Sequence, residues 1–430
     1  MNRIEYPELD EVLYTTTLEN GLDVLVLPRK GFSKKLAYFM TDYGSAHTRF
    51  SLDGVEYTAP DGVAHYLEHK LFDMPGGRDI SAEFAQKGAM TNAFTSYDMT
   101  AYYFSCTDHF DDCLKLLLEF VSTPYFTEES VRKEQGIIDQ EIGMNADTPE
   151  SVIFENMVRS LYHTHPVRVP ILGTSDTIRQ ITPEVLHLCH RAFYTPGNML
   201  LCVVGDVDPE SVEEIARQVL GTQPQSVGIK LPFGHEPMTH VEESVCAAME
   251  VAMPMFSLAF KSEPLGKGDD SILQEMVADL SAELLFGESS PLYLKLYEEG
   301  IIDASFGGGF ETMDGCAMLL CTGDSDHPEA VRDAILARAR EISEEGISEA
   351  DFLRLKRSAF GRRIRGLDSF DSTCFRLCAY HFSDFAYFRF PEIYRQIQTR
   401  QIRDFITQVV RPERCALSVI TPFNQEESHV

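Results

Sequence analysis

Apolar and polar residues alternate from Val12 to Leu27 on either side of Asn20-Gly21, a pattern that predicts two strands closed by a tight turn. The apolar run Met199–Val204 predicts a further strand, followed by a helix over Pro209–Leu220. Between them, Phe126 to Ile142 reads as an acidic helix: Thr127 caps its start, and Glu128 and Glu129 lie in the first turn. Val131, Ile137, Ile138 and Ile142 are expected to form its apolar face, leaving Glu134 and Glu141, two turns apart, on another. A linker rich in turn residues runs from Gly221 to Pro237. The order of strand, long helix, glycine-containing turn, strand pair, helices and closing strand then recurs, ending at Cys415 to Ile420.

This order predicts an α+β fold of two similar domains, each a mainly antiparallel sheet with helices packed on one face. The expected boundaries are 1–222 for the first domain, 223–240 for the linker and 241–430 for a degenerate repeat. There is no βαβ alternation and no glycine-rich phosphate loop, which argues against nucleotide binding. No run of eighteen apolar residues predicts a membrane span. The first residues, Met1-Asn-Arg-Ile-Glu-Tyr, lack the apolar segment of a secretory signal.

The 430 residues are 44% hydrophobic and 24% charged, ordinary globular usage. With 67 acidic against 37 basic residues, the net charge of −30 opposes binding to nucleic acid or anionic membrane and favours basic peptides. The 10 cysteines follow no framework spacing, and several lie inside apolar runs, as expected of buried thiols in a reducing, cytoplasmic compartment.

The chemistry concentrates in Gly62-Val-Ala-His65-Tyr-Leu-Glu68-His69. On a helix, His65 and His69 at i and i+4 point the same way, and Glu68 lies at the flank of that face, where its carboxylate could hold a metal-bound water. Neutral imidazoles suit zinc, but a catalytic zinc site needs a third protein ligand. The acidic helix offers Glu134 and Glu141. One can bind metal while the other hydrogen-bonds a ligating histidine, and helical geometry does not choose between them.

These residues resemble the insulinase/pitrilysin peptidases, the inverzincins, together with the mitochondrial processing peptidases. The resemblance covers nearly the whole chain. Lys70-Leu-Phe-Asp73 follows the motif, then Asn92-Ala-Phe-Thr95, His165-Pro166, Gly173-Thr174, Tyr194-x-Pro196-x-Asn198-Met199 and Gly205-Asp206, in the family's order. It implies that His65, His69 and Glu141 bind Zn2+, that Glu68 is the base and that Glu134 supports a ligand. It also implies that strand Met90–Thr95 pairs with an extended peptide substrate, with Asn92, Ala93 and Phe94 contributing contacts.

Aligning Leu71-Phe72 with Leu285-Phe286 sets Asp279, Ala282 and Glu283 where the first half has His65, Glu68 and His69. Aligning Thr127 with Ser348 sets Leu355 and Arg362 opposite Glu134 and Glu141, so only one half keeps metal ligands. Family members also present an Arg and a Tyr seven residues apart from the second half. Here Leu296 and Asp303 stand in their places. In the small bacterial branch the two sets of residues sometimes sit on separate chains. The resemblance therefore implies a metal-bearing subunit that pairs with a homologous partner in a heterodimer, or with itself in a homodimer. The other implied role is a non-catalytic accessory that keeps the fold, since that branch is associated by name with modification of elongation factor P.

Overall fold

The structure, a computed structural model, describes residues 1–221 and 226–423. Residues 223–225, the start of the expected linker, thus lie outside the described residues. Two compact units form. The first takes Met1–Ile142, Pro170–Pro232 and Arg363–Arg389, and the second takes Gly143–Val169, Phe233–Arg362 and the residues from Phe390 onward.

The first unit is built on a seven-stranded sheet. Its strands are β1 (Asn2–Tyr6), β2 (Glu11–Thr17), β3 (Asp23–Pro28), β4 (Lys35–Thr41), β5 (Met90–Thr95), β6 (Thr100–Cys106) and β7 (Met199–Gly205), in the spatial order β1-β2-β3-β7-β4-β6-β5. The predicted hairpin is β2–β3. Leu18 N–H donates to Leu22 O at 2.8 Å, and Gly21 supplies the positive φ of 89° that the turn requires. β7 is buried along its whole length, as a strand flanked on both sides must be, whereas β5 lies at a sheet edge.

The second unit's sheet uses β8 (Ser244–Met249), β9 (Met255–Ser262), β10 (Gly307–Met313), β11 (Cys316–Asp324) and β12 (Cys415–Pro422), in the order β8-β12-β9-β11-β10. β8 pairs with β12 in parallel and the remaining pairs are antiparallel. The same pattern recurs in β3-β7-β4-β6-β5, where only β3–β7 is parallel. The duplication predicted from element order is therefore present strand by strand.

Helices α1 (Val63–Lys70) and α2 (Phe110–Ser122) share a core with one face of the first sheet, through residues such as Leu67, Leu114, Phe39, Phe104 and Leu201. This is the expected helical layer. The opposite face is covered by α7 (Phe370–Phe382), which lies against β7 and β4 and buries Cys374, Leu377 and Cys378 there. In the second unit, α4 (Pro149–Leu161) lies against β12, β9 and β8, burying Ile153, Met157 and Leu161. The units therefore do not follow the linear division at 222 and 240: residues 143–169 belong to the second and 363–389 to the first. An amphipathic helix announces that it will pack, but its periodicity does not say against which sheet.

The acidic helix is α3 (Glu128–Ala146), and Thr127 caps it by accepting from Ser130 N–H at 3.1 Å. Val131 and Ile138, seven residues apart, are buried, and Ile142 is half-buried. The expected place of Ile137 in this apolar face is corrected: it is 44% exposed, because one residue's step of about 100° turns it away from Ile138.

Two contacts set the start of α1. Gly62 has φ 89°, and a Cβ there would lie 2.4 Å from Leu172 O; a Cβ on Gly173 would lie 2.5 Å from Asp61 O. The Gly173-Thr174 landmark thus presses backbone against backbone where the histidine helix begins. Gly62→Ala is expected to lower the unfolding free energy by at least about 1–3 kcal/mol, the usual cost of a strained residue, as read by denaturant melts. Residues 1–222 made alone lack α7 and should bind a hydrophobic dye and aggregate, whereas co-expression with residues 223–430 should suppress both.

Candidate metal centre

α1 carries His65, 8% exposed, and His69 on one side, with ring centroids 4.6 Å apart. α3 is held against it by the Tyr66 hydroxyl, which donates to Val131 O. Glu141 thereby comes to lie between the rings: its carboxylate oxygens stand 3.7 Å from His65 Nε2 and 3.7 Å from His69 Nε2. Among the described residues these are the only three potential ligands whose donor atoms lie within 4.8 Å of one another. Ligands bonded at about 2.1 Å to one tetrahedral ion stand about 3.4 Å apart, so the spacing fits shared coordination better than direct hydrogen bonding. Two imidazole nitrogens and one carboxylate oxygen are a donor set that suits zinc.

Glu134 Oε1 lies 3.0 Å from His69 Nδ1. A carboxylate can only accept there, so Nδ1 carries the proton and the Nε2 lone pair is left for metal. This contact separates the two acidic residues that helical periodicity left equivalent. Lys70, fully buried, pairs with Asp73 and stands 4.0 Å from Glu134 Oε2. Glu68 Oε2 accepts from Thr95 Oγ1 at 2.6 Å.

Electrostatics follow from these neighbours. Burial, reinforced by the charge of His69, pushes His65 down to about 3 and keeps it neutral, although its Nδ1 is buried without a hydrogen-bond partner. Burial also acts to lower His69, but the bond and charge of Glu134, with Glu68 and Glu141, raise it above its ordinary value. Burial raises the Glu68 carboxyl despite the Thr95 hydrogen bond. Burial opposes ionisation of Glu134, yet His69 and Lys70 hold its carboxyl below the usual range.

The three residues on β5 divide between two faces. Asn92 Oδ1 accepts from Ala93 N–H at 2.9 Å. Phe94 turns toward α7, with its ring 6.0 Å from Phe375 and 6.4 Å from Tyr103. Ala93 is half-buried against the core that contains α1. Three supporting groups had no signal in periodicity: Lys70, an ammonium placed in the interior, and the Gly62 and Tyr66 contacts that seat α1. In the second unit, α5 (Asp269–Phe286) and α6 (Glu349–Arg365) carry the aligned positions. There Arg362 Nη2 pairs with Glu283 Oε2 at 2.9 Å, an ion pair where the first unit sets Glu141 against His69. Leu355, aligned with Glu134, is buried.

Residues 54–175 match the family model described as insulinase (peptidase family M16), and residues 180–359 match the one described as the peptidase M16 inactive domain. The chain is 37% identical over 427 residues to the uncharacterized zinc protease YmfH of Bacillus subtilis (strain 168), covering 97% of this chain and 99% of that one. Among solved structures, it superimposes on an M16-like peptidase of Alicyclobacillus acidocaldarius with a TM-score of 0.92 at 31% identity, covering 96% of this chain and 98% of that one. The periplasmic protease PqqL of Escherichia coli shares the fold with a TM-score of 0.73 at 18% identity, over 99% of this chain but 48% of PqqL. The chain belongs to the insulinase family of peptidases, peptidase family M16.

Proposed function

We propose that this chain is a zinc-dependent peptidase that hydrolyses extended peptides, with the first unit as its catalytic part. The observation that carries this reading is the convergence of His65 Nε2, His69 Nε2 and the Glu141 carboxylate, with Glu68 alongside. His65, His69 and Glu141 would hold Zn2+, and Glu134 would orient His69. Zinc bound there supplies a Lewis acid that polarises a carbonyl and can lower the pKa of water toward about 7.

Glu68 takes a proton from the attacking water as its oxygen bonds to the scissile carbonyl carbon. It then delivers that proton to the amide nitrogen as the C–N bond breaks, so one water is consumed and an acid and an amine are released. The open edge of β5 pairs with an extended peptide backbone, a mode that selects for extension more than for side-chain identity. Ala93 would contribute its main chain, with Asn92 and Phe94 beside it. The net charge of −30 favours basic peptides over nucleic acid or anionic membrane, and among the described residues no helix is long and apolar enough to cross a membrane. Nine of the ten cysteines are buried, as expected of thiols kept in the reducing cytoplasm.

The chain would act as the metal-bearing half of a heterodimer. Leu296 is buried in its helix and Asp303 accepts from Ser305 N–H at 2.8 Å, so neither position offers the guanidinium or phenol that would stabilise a developing oxyanion. PqqL, of which this chain spans 48%, supports an assembly of two such lengths. The same two positions, with the inactive-domain match, favour a second reading: an accessory protein, in a modification pathway or in assembly, that keeps the fold without cleaving.

Glu68→Gln is expected to retain one zinc per chain by elemental analysis while cleavage of an extended peptide falls about 100-fold or more. Unchanged cleavage would remove Glu68 from the role of base. The purified zinc-loaded chain should cleave weakly until a homologous subunit that carries Arg and Tyr but no H-x-x-E-H is added. Full turnover by the chain alone would refute the heterodimer, and zinc retention without cleavage under both conditions would favour the accessory reading.

A further inference from the structure

β5 is an edge strand, and its register decides what each residue offers. Ser96 N–H donates to Met99 O at 2.8 Å. By alternation, the main-chain groups of Phe94 and Asn92 face β6, and those of Thr95 and Ala93 face the open edge. Ala93 N–H donates to the side chain of Asn92 at 2.9 Å. Thr95 therefore presents its peptide groups where an added strand would pair, while its hydroxyl donates to Glu68 Oε2 at 2.6 Å. That hydrogen bond occupies one lone pair of Oε2 and restrains the orientation of the carboxylate. A β-branched residue at the strand's end has few rotamers, so the hydroxyl direction follows the backbone.

We propose that Thr95 is a positioning residue: it orients the Glu68 carboxylate and ties that orientation to the backbone of the strand on which the peptide pairs. The proposal rests on the peptidase reading above. Pairing at the edge would order the Thr95 main chain and, through one hydroxyl, the base, so that an unpaired strand leaves Glu68 less well aimed. A misplacement of about 1 Å at a reacting group can cost up to about 100-fold in rate.

The test compares Thr95→Val, which keeps the shape and removes the donor, with Thr95→Ser, which keeps the donor. Both are measured as full-length, zinc-loaded chains, alone and with the Arg/Tyr-bearing homologous subunit, on an extended fluorogenic peptide. Thr95→Val is expected to keep one zinc per chain and a KM within about twofold of wild type, with kcat reduced about tenfold or more. Thr95→Ser should restore most of kcat. The proposal is overturned if Thr95→Val keeps wild-type kcat, if KM changes while kcat does not, if zinc is lost, or if Thr95→Ser is as defective as Thr95→Val. A wild-type chain that binds zinc and cleaves nothing under either condition removes the peptidase reading and this proposal together; an active wild type with an equally active Thr95→Val removes this proposal alone.

Discussion

The site depends on one helix-on-helix contact. α1 and α3 are separated by a long stretch of chain, yet the Tyr66 hydroxyl donates to Val131 O and Glu134 lies 3.0 Å from His69 Nδ1. One bond sets the distance between the helices and the other sets the rotation of α3, since Glu134 and Glu141 are two turns apart on it. With Glu134 seated on His69, Glu141 lies 3.7 Å from each of the two Nε2 atoms. The contact therefore both packs the helices and separates the roles of two otherwise similar carboxylates.

The second unit solves the same packing problem without the histidine pair or the two glutamates. α5 and α6 carry Glu283 and Arg362 at the aligned positions, and these side chains join as an ion pair at 2.9 Å. Both groups are partly exposed, so the pair contributes little to stability. Leu355 takes the place of Glu134 with an apolar contact, which removes the carboxylate that would orient an imidazole. The repeated strand order shows that the two units share an architecture. The helix pair remains in the second unit although different side chains meet between its helices.

The sheet faces are completed by segments from opposite halves of the chain. α7 covers β7 and β4 in the first unit, and α4 covers β12, β9 and β8 in the second. Each half of the sequence thus supplies a helix to the unit built mostly from the other. Cys374, Leu377 and Cys378 are buried only because the first sheet offers a matching apolar surface, in which Cys202 stands opposite Leu25 and Tyr38.

Much of this was legible in the amino-acid order because it is local. The Asn20-Gly21 turn, the all-apolar β7, the Thr127 cap and the i, i+4 histidines depend on residues within a few positions of one another, where dihedral preference and periodicity act. The α+β duplication was legible because strands and helices recur in the same order. Three features depend on contacts across long stretches of chain, which no local pattern records. Tertiary packing exposed Ile137 while burying Ile138, assigned Glu134 to His69 and Glu141 to the gap between the rings, and sent residues 143–169 and 363–389 to the unit opposite their half of the chain. Helical periodicity defines which residues share a face, but only the neighbour that meets that face decides what each of them does.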